Sequence, residues 1–258
     1  MPRSAPTNLY LWLEWAALFV LAPLLLYVWW QPAVLAALLL LVTLGTAWWL
    51  RQHRKFGQLA FWRAPNARRE PSQLRRLLRR LLPCLLLLAG LVLWHYPEQW
   101  LAMPRRQPYV WLLLLVLYPL LSVYPQELIY RAFFFRRYRR LFPGKQLRVW
   151  VSAAAFALLH IVYQNWLAVG LTFIGGWFFA QTYARTRSLR LVWLEHSLYG
   201  LLLFTLGLGD FFDHRRVPAP AATAPRVASA VRRIGYEAPQ RKRPAPGGTR
   251  AAAVWSGR

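Results

Sequence analysis

What most limits the folds open to this chain is an alternation along its length between long apolar windows and short segments crowded with arginine. Seven windows stand out, at 9–30, 33–50, 81–96, 109–124, 149–166, 167–184 and 191–208. As helices rising 1.5 Å per residue, each is about long enough to cross the ~30 Å hydrocarbon layer of a bilayer. The expected fold is therefore all-α: a polytopic transmembrane helix bundle of about seven spans. The first window lacks a small-residue cleavage site and is too long for a removable leader, so it is expected to stay as an anchor.

A net charge of +25 over 258 residues would suit a nucleic-acid binder, but 57% of the residues are apolar and 15 are tryptophan. The arginines gather at 51–80, 136–148 and 185–190, between windows, while the intervening connections at Gln31-Pro32 and Gln164-Asn165 are uncharged. Basic loops on one side of a bilayer are topology signals, and they predict a cytoplasmic N-terminus. No nucleic-acid partner is expected, because polyanion binding also needs a folded soluble platform. The aromatic run Tyr130, Phe133, Phe134 and Phe135 reads as an interfacial belt at the cytoplasmic boundary, where the membrane lipids are the partners. "RRLLRRLLPC" at 75–84 reads as a snorkelling approach to the third span.

The arginine-, proline- and alanine-rich tail, 214–258, has a composition that cannot bury a core and is expected to be disordered. Seven passes would leave it on the side away from the basic loops, at odds with its own charge. The expected division is 1–108 for N-terminal spans with a basic cytoplasmic loop, 109–213 for a helical core, and 214–258 for the tail. The single cysteine, Cys84, excludes an internal disulfide and a multi-thiolate metal site within one chain.

Ionisable groups inside hydrocarbon cost about 2.5 to 3.5 kcal/mol each on insertion scales, so those present call for a reason. The acids in or beside the windows are Glu14, Glu127 and Glu195, and the histidines are His95, His160 and His196. Glu14 and His95 lie near window ends or stand alone and are read as structural. In "SVYPQELIYRAFFFRRY", 122–138, Glu127 and Arg131 are four apart, on one helical face where they can pair. "FALLH" puts Phe156 and His160 on one face of the fifth span, and "HSLYG" does the same for His196 and Gly200 on the seventh. A carboxylate and two imidazoles converging in a bundle interior could activate water as a general base or hold a divalent metal. Other intramembrane chemistries lack their residues: no two aspartates lie inside the apolar windows, and there is no HExxH and no G-x-S-x-G.

At these positions the sequence resembles the CPBP family, the type II CAAX prenyl protease and bacteriocin-processing (Abi-type) intramembrane endopeptidases. Its motifs E-E-x-x-x-R, F-x-x-x-H and H-x-x-x-N/D correspond to "QELIYR" at 126–131, "FALLH" at 156–160 and "HSLYG" at 196–200, over about residues 125–209. The resemblance implies peptide-bond hydrolysis at the membrane in a bacterial inner (plasma) membrane, acting on a membrane-associated protein or peptide. It implies that a glutamate and His160 activate water while His196 donates to the oxyanion, with Arg131 orienting the carboxylate. Two positions depart from the pattern: Gln126 replaces the first glutamate and Gly200 the final asparagine. Glu127 would then be the base, in a helix turned by about 100°. No cofactor is expected; a divalent metal on Glu127, His160 and His196 stays open. Three functions remain at this point: an intramembrane endopeptidase, a non-catalytic membrane scaffold or partner-binding protein on the same fold, and, as the weakest, a transporter with the Glu127–Arg131 pair in a proton path.

Overall fold

The structure, a computed structural model, describes residues 8–29, 31–52 and 70–212. The tail expected to be disordered and most of the first basic segment lie outside the described residues. Among the described residues the chain is helical throughout, with no strand. Seven long helices follow one another: α1 (Asn8–Val28), α2 (Pro32–Gln52), α3 (Glu70–His95), α4 (Pro108–Arg137), α5 (Lys145–Tyr163), α6 (Trp166–Thr186) and α7 (Leu189–Leu206). Six of them, α3 counted from Leu74, are long and apolar enough to cross a membrane, while α2 carries a shorter apolar stretch, Ala37–Trp48. Leu40, Leu41 and Leu44 on α2, Leu86 and Leu87 on α3, and Leu112, Leu113 and Val116 on α4 face outward. Such apolar faces would be a liability in water and are what a lipid-facing surface requires.

The connections among the last three helices are tight and locally specified. Gln164 adopts a left-handed conformation (φ 53°), and the Asn165 side chain then accepts a hydrogen bond from the Leu167 N–H at 2.9 Å to cap α6. Arg187 (φ 54°) and Ser188, which accepts from the Leu191 N–H at 3.3 Å, repeat the device before α7. Two-residue links of this kind make α5, α6 and α7 antiparallel neighbours. Gly176 lets α6 approach α5 closely, since a Cβ there would stand 3.0 Å from the Phe156 ring.

α4 departs most from expectation. It does not stop at 124 but runs on to Arg137, and two of its turns are π-helical, Tyr118–Val123 and Leu128–Phe133. Pro119 and Pro125 lack the N–H that an α-helical ladder needs, which favours a widened turn beside each. A π-turn holds an additional residue, so each one rotates the downstream face by roughly 100°. The aromatic run consequently turns inward. Tyr130, Phe133, Phe134 and Phe135 are buried in the protein core with Phe19, Tyr138, Phe142 and Phe156, which corrects the reading of these residues as an interfacial belt.

The end of α4 is tied to α1. Arg137 donates to both carboxylate oxygens of Glu14, at 2.8 and 2.6 Å, and the Tyr138 hydroxyl donates to Oε1 at 2.9 Å. Glu14 is thus the structural residue expected. On α3, Arg75, Arg76 and Arg79 are exposed, whereas Arg80 turns inward beside Glu195, so that the basic run is only in part a snorkelling one.

Candidate active site

Glu127 ends the short α-helical turn between the two π-turns of α4, and its side chain is fully enclosed. One carboxylate oxygen, Oε1, accepts a hydrogen bond from His196 Nδ1 of α7 at 2.8 Å. The other, Oε2, stands 3.3 Å from Arg131 Nε, one turn further along α4. Both ion-pair partners are wholly buried, so little solvent screening weakens their attraction. The π-turn that precedes Glu127 shifts the phase of the turn that carries it, and Glu127, not Gln126, enters the bundle. Gln126 is half-buried and donates through Nε2 to Ser122 Oγ at 2.9 Å, on its own helix.

Arg131 links three helices. Its Nη1 donates to Ser152 Oγ of α5 at 2.8 Å, and its Nη2 donates to the Gly176 carbonyl of α6 at 3.2 Å. Ser152 passes the link on, its hydroxyl donating to the Tyr130 carbonyl at 2.8 Å within the second π-turn, whose ladder is irregular. The guanidinium lies 5.2 Å from the centroid of the Phe156 ring and 6.0 Å from that of Phe179. A buried cation with this many partners fixes the Glu127 carboxylate from behind.

The His196 imidazole is held by aromatic rings as well as by Glu127. It stacks on Phe179 at 4.5 Å between centroids and meets the edges of Phe156 at 5.4 Å and Tyr118 at 6.2 Å. His160 stands where α5 tightens into a 3-10 turn, and its Nδ1–H donates to the Phe156 carbonyl at 2.7 Å. Its ring packs on Phe156 at 4.6 Å and on Tyr163 at 5.8 Å. Phe156 therefore touches both histidines. Glu127, Arg131 and His196 are brought together directly; His160 joins them across one ring and forms no hydrogen bond with Glu127. Among the described residues, no group of three His, Cys, Asp or Glu side chains is gathered so as to hold a metal.

Both histidines use Nδ1–H as a donor, to a carboxylate in one case and a carbonyl in the other. In the neutral state each then carries its lone pair on Nε2. The arrangement supplies two imidazole bases, one of them backed by a buried carboxylate.

Sequence reasoning assigned no role to two neighbours of the site. Glu195, one residue before His196, is fully buried with Arg80 Nη1 3.9 Å away. Tyr118, at the start of the first π-turn, brings its hydroxyl against Gly200, where a Cβ would collide with it. The signal for Tyr118 was a phenol in the middle of an apolar window, next to a proline that disturbs the helix.

Residues 104–202, which contain Tyr118, Glu127, Arg131, His160, His196 and Gly200, match the family model described as type II CAAX prenyl endopeptidase Rce1-like. No curated protein and no solved structure matches the chain. With its six long apolar helices, this is an integral membrane protein, and its residues 104–202 are similar to the Rce1-like family of type II CAAX prenyl endopeptidases.

Proposed function

We propose that the protein is an intramembrane endopeptidase that hydrolyses a peptide bond in a membrane-associated protein or peptide, with Glu127 and His196 as its base. The observation that carries this reading is the buried 2.8 Å hydrogen bond from His196 Nδ1 to Glu127, within the Rce1-like segment. Glu127 holds the imidazole in the tautomer whose Nε2 is basic and balances the imidazolium that forms, as carboxylate–histidine pairs do in hydrolases. His196 Nε2 takes a proton from water as the water oxygen attacks the carbonyl carbon, and then returns it to the leaving amine. His160 Nε2 accepts the other hydrogen of that water and orients it. Arg131 positions the carboxylate, and Gln126 takes no part in the chemistry.

This differs from the division of roles that the motifs implied, in which His160 assisted the glutamate and His196 faced the oxyanion. The reason is the pairing: the hydrogen bond to Glu127 comes from His196. No cofactor enters the scheme, in which Glu127 Oε1 is taken by His196 Nδ1; EDTA, which should leave activity unchanged, tests the divalent metal that the sequence left open on Glu127, His160 and His196. The positions of the basic segments favour a cytoplasmic N-terminus in a bacterial inner membrane, with lipids as the surroundings and no nucleic-acid partner.

The test is incubation of the detergent-solubilised full chain with a proteome-derived peptide library, read by mass spectrometry. Cleavage is expected with wild type and is expected to fall by about 10² to 10⁴ in Glu127→Gln and His196→Ala, the range for loss of a general base. Cleavage retained in both variants would end the reading. The second reading, a non-catalytic scaffold, is favoured by the full enclosure of Glu127 and by Gly200, which offers no side-chain donor. It predicts no cleavage by wild type and effects of the same substitutions on folding alone.

A further inference from the structure

We infer that the Tyr118 hydroxyl is the oxyanion donor of this site, occupying space that Gly200 leaves open; the inference rests on the endopeptidase reading above. Hydrolysis places negative charge on the former carbonyl oxygen, and a hydrogen-bond donor aimed there is worth a large part of the rate. The described side chains leave few donors for that task. His196 and His160 each spend Nδ1–H on a protein acceptor, at 2.8 and 2.7 Å. The Arg131 guanidinium is committed to Ser152, Gly176 and Glu127, and Gln126 to Ser122.

Tyr118 is placed differently. Its ring meets the edge of His196 at 6.2 Å, the imidazole that is hydrogen-bonded to Glu127. Among the described residues that hydroxyl donates to no protein group. The phenol is held from two sides. Phe204 packs edge-on at 5.1 Å, and Trp193 Nε1 donates to the carbonyl of the adjoining Pro119 at 2.7 Å. Opposite stands Gly200, one turn beyond His196 on α7. A Cβ there would fall on the Tyr118 hydroxyl and within 2.6 Å of ring carbons Cζ and Cε1. The absent side chain of α7 and the phenol from α4 are thus complementary in shape. The first π-turn starts at Tyr118 and sets the angle at which the ring leaves α4.

In the step itself, the water oxygen bonds to the carbonyl carbon, the carbonyl π pair moves onto oxygen, and His196 Nε2 takes the water proton. Tyr118 O–H donates to the oxyanion and keeps its proton. When the intermediate collapses, the C–N bond breaks, the oxyanion pair re-forms the carbonyl, and the Nε2 proton goes to the leaving nitrogen.

The experiment compares wild type, Tyr118→Phe and Glu127→Gln on the peptides that wild type cleaves from the library, with thermal unfolding recorded for each. Tyr118→Phe keeps the ring and its packing and is expected to lower kcat by about 100-fold, within the range for a single oxyanion donor, with KM changed less than about 3-fold. A kcat within about 5-fold of wild type, alongside a large loss in Glu127→Gln, overturns the inference and leaves the endopeptidase reading standing. Absence of any Glu127-dependent cleavage overturns both. Should Tyr118→Phe unfold, 3-fluorotyrosine at 118 keeps the shape and strengthens the donor: a changed kcat at constant KM supports the inference, and an unchanged kcat overturns it.

Discussion

Replacing Arg131 by Met tests whether the Glu127–Arg131 pair holds the site. The substitution keeps a long apolar side chain but removes the cation 3.3 Å from Glu127 Oε2 and the donors to Ser152 and Gly176. Both members of the pair are fully buried, so Glu127 would be left with the His196 Nδ1–H as its one partner among the contacts described. Breaking a buried ion pair from one side typically costs about 3 to 5 kcal/mol. For a chain of this size, each kcal/mol moves the unfolding temperature by about 2 to 4 °C, so the expected fall is ~6 to 20 °C. The assay is thermal unfolding of the purified full chain in one detergent, with Glu127→Gln and Glu127→Gln/Arg131→Met alongside. Because the double variant has no orphaned carboxylate, it should be more stable than the sum of the two single losses predicts, by at least ~1 kcal/mol. Strict additivity, or a loss below ~1 kcal/mol in Arg131→Met, would refute the reasoning that these charges are coupled.

Other substitutions follow from particular contacts. Gly200→Ala forces the Tyr118 ring aside and should destabilise the chain by about 1 to 3 kcal/mol, as overpacking of cores does, which thermal unfolding will read. Gly200→Ala should also lower kcat through displacement of the Tyr118 hydroxyl. Glu14→Ala removes three hydrogen bonds between α1 and the end of α4, and is expected to lower stability by about 1.5 to 3 kcal/mol in the same assay. Gln126→Glu should not raise the cleavage rate, because position 126 faces Ser122 and the place beside His196 is taken by Glu127.

The candidate site could be read from the sequence to the extent that local spacing dictates geometry. Glu127 and Arg131 are one turn apart and do pair; His160 and His196, each in a distant window, do reach the same part of the bundle, with Phe156 between them. What periodicity could not convey was the phase of α4. Its first π-turn shifts the phase at which Glu127 rather than Gln126 points inward, and the two together bring the aromatic run at 130–135 into the core instead of the lipid boundary. A fixed step of 100° per residue fails across such turns, and only the prolines at 119 and 125 hinted at them. Tyr118 was invisible for a related reason. A phenol in an apolar window reads as packing until Gly200, 82 positions later, is seen beneath it. Arg80 and Glu195 were each visible as charges, but an approach of 3.9 Å between α3 and α7 belongs to tertiary structure alone.

The most direct measurement of the central claim is a comparison of protein termini in membranes from cells expressing wild type or Glu127→Gln at matched levels. New termini near membrane boundaries in wild type that vanish in the variant are the predicted result, and they would identify the substrate at the same time. Identical sets of termini, with both proteins folded, would contradict the assignment of Glu127 and His196 to peptide-bond hydrolysis.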